Sequence, residues 1–169
     1  MTKCRECEAA GLDHDAVVER GKRSPLDAAI VLGGMSFLDT DFHWAINDWF
    51  MSNLEAGHRR FIIMLARNHA KTSLFGAGLM LWRMACNPND RILYRMASSN
   101  NAEKTLKVVT QTLALSRVIE HYYPSLKLYA GNAEQWTSNA STLQIPRTKH
   151  YRDPTISAQS TTSLVTGSH

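Results

Sequence analysis

Large apolar side chains recur every three or four positions between residues 42 and 54, which is typical of a helix with one buried face. The positions are Phe42, Ile46, Trp49, Phe50 and Leu54. Asp41 is the predicted N-cap and Gly57 the predicted stop. The spacing therefore predicts an amphipathic helix that packs an aromatic face on a core.

A different pattern follows, in which five apolar residues, 61–65, precede a polar turn. This run predicts a short buried strand. Residues 74–85 are then apolar nearly all round, as in a helix buried against a sheet. An Asn-Pro turn at 87–90 and a second predicted strand at 91–97 come next.

The last part of the chain predicts one long helix and then further strands. The helix has Asn100 and Glu103 as a capping box, an apolar face up to Val118 and an end at Pro124. A hairpin is predicted over 135–146 with Asn139 near its turn, and another strand over 155–159. Alternating strands and helices predict an α/β fold built as a three-layer sheet with right-handed crossovers.

The order strand, loop, Lys-Thr and helix is the layout of a phosphate-binding loop. Amides from Asn68 to Thr72 would surround a phosphate, Lys71 would reach the β- and γ-phosphates, and the Thr72 hydroxyl would join a magnesium shell. Leu65 and Ala70 stand where the standard pattern has glycine. We expect alanine there only where φ is negative. The competing interpretation makes Lys71 an ordinary solvated lysine in a first helical turn.

Residues 65–73, Leu-Ala-Arg-Asn-His-Ala-Lys-Thr-Ser, resemble the deviant Walker A motif of tailed-phage terminase large subunits. In that family an arginine stands four residues before the lysine, and alanine often replaces the second glycine. Residues 82–94, 98–103 and 152–157 with 164–169 are similar to later segments of the family, in the same order. The resemblance runs from about residue 42 to the last residue. It implies the N-terminal part of a P-loop ATPase domain from a viral DNA-packaging motor.

The resemblance also implies ligands, partners and residue roles. ATP and Mg²⁺ would be the cofactors and double-stranded DNA the translocated partner, with a portal protein, a small terminase subunit and a homo-oligomeric ring in the host cytoplasm. Lys71 and Arg67 would be catalytic, Arg67 by steadying the γ-phosphate charge, and Thr72 would bind the metal. The nucleotide-binding residues would be Arg67, Asn68, His69, Ala70, Lys71, Thr72 and Ser73. The alternative role for Arg67 is a surface ion pair with a carboxylate.

Adenine binding in this class uses the segment before the loop, often through a glutamine. Here no glutamine precedes Gln111, so an adenine contact would come from the backbone, from an aromatic such as Trp44 or from an amide such as Asn47. The competing interpretation places the aromatic residues in the core. ATP hydrolysis also needs a Walker B strand that ends in a magnesium-binding Asp, usually followed by a Glu. No two carboxylates are adjacent in the chain, and the best acidic candidates, Asp39 and Asp41, precede the loop. In the family, the Walker B strand would begin just after His169.

The acidic cluster of a nuclease domain is also missing from the sequence. We therefore expect either the N-terminal portion of an ATPase domain or a relic that binds nucleotide without hydrolysing it, and whether the chain is an enzyme stays open. The alternative is a non-catalytic nucleic-acid or protein-binding module with a degenerate P-loop. A metal-dependent nuclease is disfavoured by the scattered acids.

Composition adds general limits. The 169 residues, 44% hydrophobic, are enough for one domain with a core, predicted over 26–169 after an N-terminal arm, 1–25. A net charge of +4 suits a polyanionic partner. A soluble, intracellular protein is expected, because no apolar run is long enough to cross a membrane and the N-terminus is too polar for a secretory signal. Cys4 and Cys7 with His14 would make half a zinc site, and a polar tail with two free thiols is favoured.

Overall fold

The computed structural model describes residues 13–127, 137–149 and 151–162. Its α-helices are α1 (His14–Arg23), α2 (Pro25–Val31), α3 (Asp41–Glu55), α4 (Leu79–Cys86), α5 (Ser99–Leu115) and α6 (Arg117–Tyr122). Short 3-10 helices cover Ser36–Leu38 and Pro124–Leu126, and a π-helical segment, Ser73–Gly78, leads directly into α4. The strands are β1 (Ile92–Met96), β2 (Thr137–Ser138), β3 (Thr142–Gln144) and β4 (Ile156–Ser160). Among the helices of these ranges, none has the length and apolar character needed to cross a membrane.

The four strands form one mixed sheet in the order β1-β4-β3-β2. β1 runs parallel to β4, with Ile92 opposite Ile156, whereas β3 is antiparallel to both β4 and β2. Asn139 closes the β2–β3 turn, because its Oδ1 accepts the amides of Ser141 and Thr142 at 2.9 and 2.7 Å. The predicted hairpin and last strand are confirmed, and so is a mixed α/β architecture.

One face of the sheet packs against α5, and the π-helical segment lies next to that helix. Two glycines let this segment approach its neighbours closely. A Cβ on Gly78 would lie 2.9 Å from both the Ala29 Cβ and the Pro25 carbonyl oxygen of α2, and one on Gly76 would lie 3.0 Å from the Tyr94 hydroxyl of β1. Small residues at these two positions therefore set the distance between the segment, α2 and the sheet.

The first two helices are fastened to the core by polar contacts. The Trp82 indole N–H donates to the Lys22 carbonyl at 2.6 Å, and the Tyr123 hydroxyl donates to the Val18 carbonyl. Residues 13–25 of the predicted arm thus pack on the domain, and a domain boundary near residue 25 stays a prediction. The proposed zinc ligands Cys4 and Cys7 lie outside the described residues.

A buried carboxylate joins α1 to α2. Asp27 is fully buried, and its two oxygens accept hydrogen bonds from Arg23 at 2.8 Å each. Arg20 Nε and the Ser24 hydroxyl also donate to it, at 3.3 and 2.8 Å. The hydrogen bond between Arg23 and Asp27 raises the pKa of Arg23. Charged hydrogen bonds of this kind offset the free energy of burying the carboxylate.

Two helix starts differ from the predicted ones by one or two residues. Thr40, not Asp41, caps α3, because its backbone is extended and its hydroxyl accepts the His43 amide at 3.4 Å. Ser98, not Asn100, caps α5 in the same way, accepting from Asn101 at 3.3 Å. Serine, threonine, aspartate and asparagine are all good N-caps. Which residue becomes the N-cap therefore depends on where the backbone leaves the helical conformation. The predicted long helix also ends earlier, at Leu115.

The predicted buried strand at 61–65 is wrong. These residues form no strand in the described sheet, although their side chains alternate. Phe61, Ile63 and Leu65 are partly buried, whereas Ile62 and Met64 are 85% and 86% exposed. A buried strand needs neighbours on both edges and both faces, and the described residues supply no ladder partner for this segment. We call residues 61–65 the apolar segment.

Candidate functional site

The loop between the apolar segment and the helix contains two residues in the left-handed region. Asn68 has φ 67° and Ala70 has φ 46°. Asparagine tolerates this region, whereas an alanine pays about 1–2 kcal/mol for it. The expectation that alanine would need a negative φ at this position is therefore wrong. Ala70 takes the backbone conformation that glycine supplies in the standard motif, and the loop carries local strain of the kind found at binding sites.

Lys71 folds back across this loop. Its Nζ lies 3.4 Å from the Leu65 carbonyl oxygen, so the ammonium group joins the end of the loop to its beginning. Leu74 N–H makes a 3.0 Å bond to the Ala70 carbonyl, and the amides of Lys71, Thr72 and Ser73 therefore lie in the first turn, which has no intrahelical acceptors. Positive charge from Lys71 and from the helix N-terminus acts in the same place. The arrangement can bind an anion.

Thr72 and Ser73 stand at the start of the π-helical segment. The Thr72 side chain is exposed and caps no backbone amide of the helix, so its hydroxyl is available to a ligand or to a metal shell. Ser73 is half-buried. π-Helical turns are rare in proteins, and those that occur often lie at functional sites.

His69 attaches the loop to the first turn of α3. Its Nδ1 lies 3.0 Å from the Arg67 carbonyl oxygen, and its ring centroid is 5.1 Å from that of Phe42. Phe42 is 43% exposed and is therefore a surface neighbour of the loop, a contact that the spacing of α3 alone did not reveal. The Arg67 guanidinium is exposed and forms no ion pair with any described carboxylate. The surface-ion-pair role for Arg67 is thus not seen.

The two adenine candidates are used inside the fold. Asn47 is buried, and its Oδ1 accepts the Leu26 amide at 3.2 Å. The Trp44 indole N–H donates to Asp39 at 2.7 Å. Asn47 is therefore used in the packing of α3, and Trp44 is partly buried against the core. Phe42 and Trp49 are 43% and 48% exposed, so the prediction of an aromatic face packed on the core holds for only part of the helix.

Acidic residues do not gather near Lys71 and Thr72 in the part of the chain that the structure describes. No group of three or more His, Cys, Asp or Glu side chains in those ranges is placed to hold a metal ion. Asp39 is bonded to Trp44, and Asp41 is exposed at the start of α3. Thr72 is consequently the one predicted metal ligand that the described loop presents.

An apolar cleft of about 450 Å³ lies between the apolar segment and β1. Its lining includes Phe61, Ile63, Phe75, Ile92 and Leu93. Sequence reasoning missed this cleft, because it placed residues 61–65 inside the sheet. The cleft separates the apolar segment from β1, which is an edge strand of the described sheet.

Comparison of the chain with protein-family models, with curated proteins and with solved structures found no match.

Proposed function

We propose that the chain is the ATP-binding module of a viral DNA-packaging motor of the terminase large-subunit kind, with a P-loop NTPase-like three-layer fold. In this proposal ATP and Mg²⁺ bind at residues 67–73, and ATP hydrolysis drives translocation of double-stranded DNA. A portal protein, a small terminase subunit and further copies in a ring would be the partners in the host cytoplasm.

The observation that carries the proposal is the shape of the loop. Ala70 and Asn68 adopt positive φ, and Lys71 Nζ reaches the Leu65 carbonyl at 3.4 Å. Lys71 is exposed, so what distinguishes it from an ordinary solvated lysine is the strained residue before it and the contact of its Nζ with the beginning of the loop. A strained loop closed by a lysine ammonium, followed by free first-turn amides and a threonine hydroxyl, fits the polyphosphate of a nucleotide.

The residues present fit roles in binding and orientation. Lys71 and the amides from Asn68 to Thr72 would hold the β- and γ-phosphates, and Arg67 is exposed and without an ion pair in the described ranges, so it is free to approach a γ-phosphate. The Thr72 hydroxyl would take one position of the magnesium shell, and magnesium would neutralise phosphate charge when bound.

A second candidate function is a non-catalytic module that binds nucleic acid or a protein. It is favoured by the lack of an acidic metal-binding group within the described ranges, because magnesium-dependent hydrolysis needs carboxylate ligands. In that case the loop around Lys71 would bind a DNA phosphate or no ligand.

The test is a titration of ATP, with and without magnesium, by calorimetry. Lys71→Ala should lower the affinity at least tenfold, since one charged hydrogen-bonding group contributes about 1.5–3 kcal/mol. Lys104→Ala is the matched control, because Lys104 is an exposed lysine on α5. Thr72→Val should reduce only the magnesium-dependent part of the affinity.

Circular dichroism of each variant confirms that the fold is retained. Equal affinity in Lys71→Ala and Lys104→Ala would remove the phosphate-binding assignment. Absence of ATP binding in the unaltered protein would favour the non-catalytic module.

A further inference from the structure

Two arginine side chains lie near the ring of an exposed tyrosine, in the segments that precede the parallel strands β1 and β4. We call this group the Tyr151 cluster. Contacts join Arg91, Arg147, Tyr151 and Asp153, and the exposed residues Lys149 and Arg152 are included as close sequence neighbours of Tyr151. The cluster belongs to the segments that lead into the two strands and shares no residue with the loop at 65–73.

Two guanidinium groups lie near the same aromatic ring. The Arg91 Cζ is 5.1 Å from the Tyr151 ring centroid and the Arg147 Cζ is 5.8 Å from it. Arg91 Nη1 pairs with the Asp153 carboxylate at 2.8 Å, whereas Arg147 Nη2 donates to the Asp153 backbone carbonyl at 2.7 Å. One carboxylate is thus placed beside two arginines, and among the described residues it forms an ion pair with Arg91 alone.

Arg147 is incompletely compensated. Its Nε and Nη1 are buried, and no described residue supplies a hydrogen-bond acceptor for them. Burial, and next the positive charge of Arg91, lower the pKa of Arg147. Both facts indicate a positive potential that the described side chains do not cancel, and an anion at the surface of the cluster would reduce its free energy.

The backbone around the cluster is fixed by Asn89. Its Oδ1 accepts the amides of Thr148 and Lys149 at 3.1 Å each, and its Nδ2 donates to the Thr148 hydroxyl at 2.8 Å. These bonds tie the loop before Tyr151 to the turn before β1. Lys149 is therefore presented from a hydrogen-bonded backbone, which lowers the entropy lost when a ligand binds.

We propose that the Tyr151 cluster binds the phosphate backbone of duplex DNA. Four cationic residues stand against one carboxylate, and Lys149 and Arg152 are exposed. Tyr151 is 38% exposed, and tyrosine hydroxyls donate to phosphates in protein–DNA complexes. The choice of DNA over other polyanions rests on the proposed function, whereas the anion site rests on the geometry of the cluster.

The test measures binding of a short fluorescent DNA duplex by anisotropy over a range of salt concentrations, without nucleotide. Lys149→Gln with Arg152→Gln removes two exposed cations that make no described hydrogen bond through their side chains. Lys104→Gln with Lys107→Gln removes the same charge from exposed positions on α5. We expect the cluster variant to lose roughly 10- to 100-fold in affinity near 0.1 M salt and about 2 in the slope of log K against log salt.

The control pair should change both quantities much less. Equal losses in the two pairs, or no duplex binding by the unaltered protein at low salt, would overturn the site. Displacement of the duplex by polyglutamate as effectively as by unlabelled DNA would overturn the assignment to nucleic acid.

The ATP titration tests the proposed function separately from DNA binding at the Tyr151 cluster. If Lys71→Ala abolishes ATP binding while the cluster variant binds DNA normally, the Tyr151 cluster is wrong and the nucleotide site stands. If the cluster variant loses DNA binding and the unaltered protein does not bind ATP, the DNA site at the Tyr151 cluster is supported and the assignment to a packaging motor is rejected.

Discussion

The positive φ of Ala70 makes a sharp prediction about stability. Ala70→Gly removes about 1–2 kcal/mol of left-handed strain from the folded state. Glycine also increases the entropy of the unfolded chain, which opposes the gain by about 0.4–1 kcal/mol. Ala70 is half-buried and packs against the core, so losing its methyl group costs roughly 0.4 kcal/mol more. The net change lies between a destabilisation of about 0.4 kcal/mol and a stabilisation of about 1.2 kcal/mol.

The matched control is Ala45→Gly. Ala45 is exposed within α3, where the same substitution has no strain to relieve and should destabilise the protein by about 1 kcal/mol. The two variants should therefore differ by about 1–2 kcal/mol, although the chemical change is identical.

Urea unfolding followed by circular dichroism measures this difference directly. In thermal unfolding it corresponds to roughly 2–8 °C between the two midpoints for a chain of this size. If Ala70→Gly is as destabilising as Ala45→Gly, the left-handed conformation at residue 70 is not present in solution. The strain argument, and the support it gives to a phosphate-binding loop, would then be lost.

Three further substitutions test the packing of the first helices. Gly21→Ala should destabilise by about 1–3 kcal/mol in urea unfolding, because its Cβ would lie 2.5 Å from the Tyr123 hydroxyl oxygen, and an unchanged or raised midpoint would show that this contact is looser. Burial raises the pKa of Tyr123 from 10.0 to about 12, so the folded state favours the neutral hydroxyl. The stability that this neutral hydroxyl contributes is complete below pH 10 and is lost as the pH rises to 12. Between these pH values the free energy of unfolding should therefore fall by roughly 2–3 kcal/mol more in the unaltered protein than in Tyr123→Phe. Parallel pH profiles of the two proteins would contradict this. Asp27→Asn should lower the free energy of unfolding by about 1–3 kcal/mol, because the charged bonds from Arg23 become weaker, and a neutral result would mean that the exposed ends of the arginines regain this energy from water.

Local signals in the sequence predicted the elements that depend on local interactions. The α3 helix follows from its apolar spacing, and the β2–β3 turn follows from Asn139, whose side chain supplies the turn's hydrogen bonds itself. Cap positions shifted by one or two residues, because neighbouring residues such as Ser98 and Asn100 have nearly equal capping ability. The predicted long helix is interrupted at Ser116, whose backbone leaves the helical conformation and whose side chain caps α6.

Features that depend on distant partners were harder to predict. Five consecutive apolar residues indicate burial but do not reveal which strand will pair with them, and the apolar segment is accordingly half-exposed. Lys71 and Thr72 were placed correctly at the start of a helix, but the sign of φ at Ala70 depends on how the whole loop closes. The Tyr151 cluster joins residues about 60 positions apart, Arg91 and Asp153, and a single sequence contains no signal for such a contact.

The apolar segment has a consequence for how the protein behaves when it is concentrated. Ile62 and Met64 project into water from an extended backbone that has no ladder partner in the described ranges. Extended, unpaired and apolar stretches template pairing between molecules, which leads to aggregation. Light scattering should therefore rise with concentration, and Met64→Lys, a gatekeeper charge on the exposed side, should suppress it. Two side chains that contribute little to the core would then raise the tendency of this chain to aggregate.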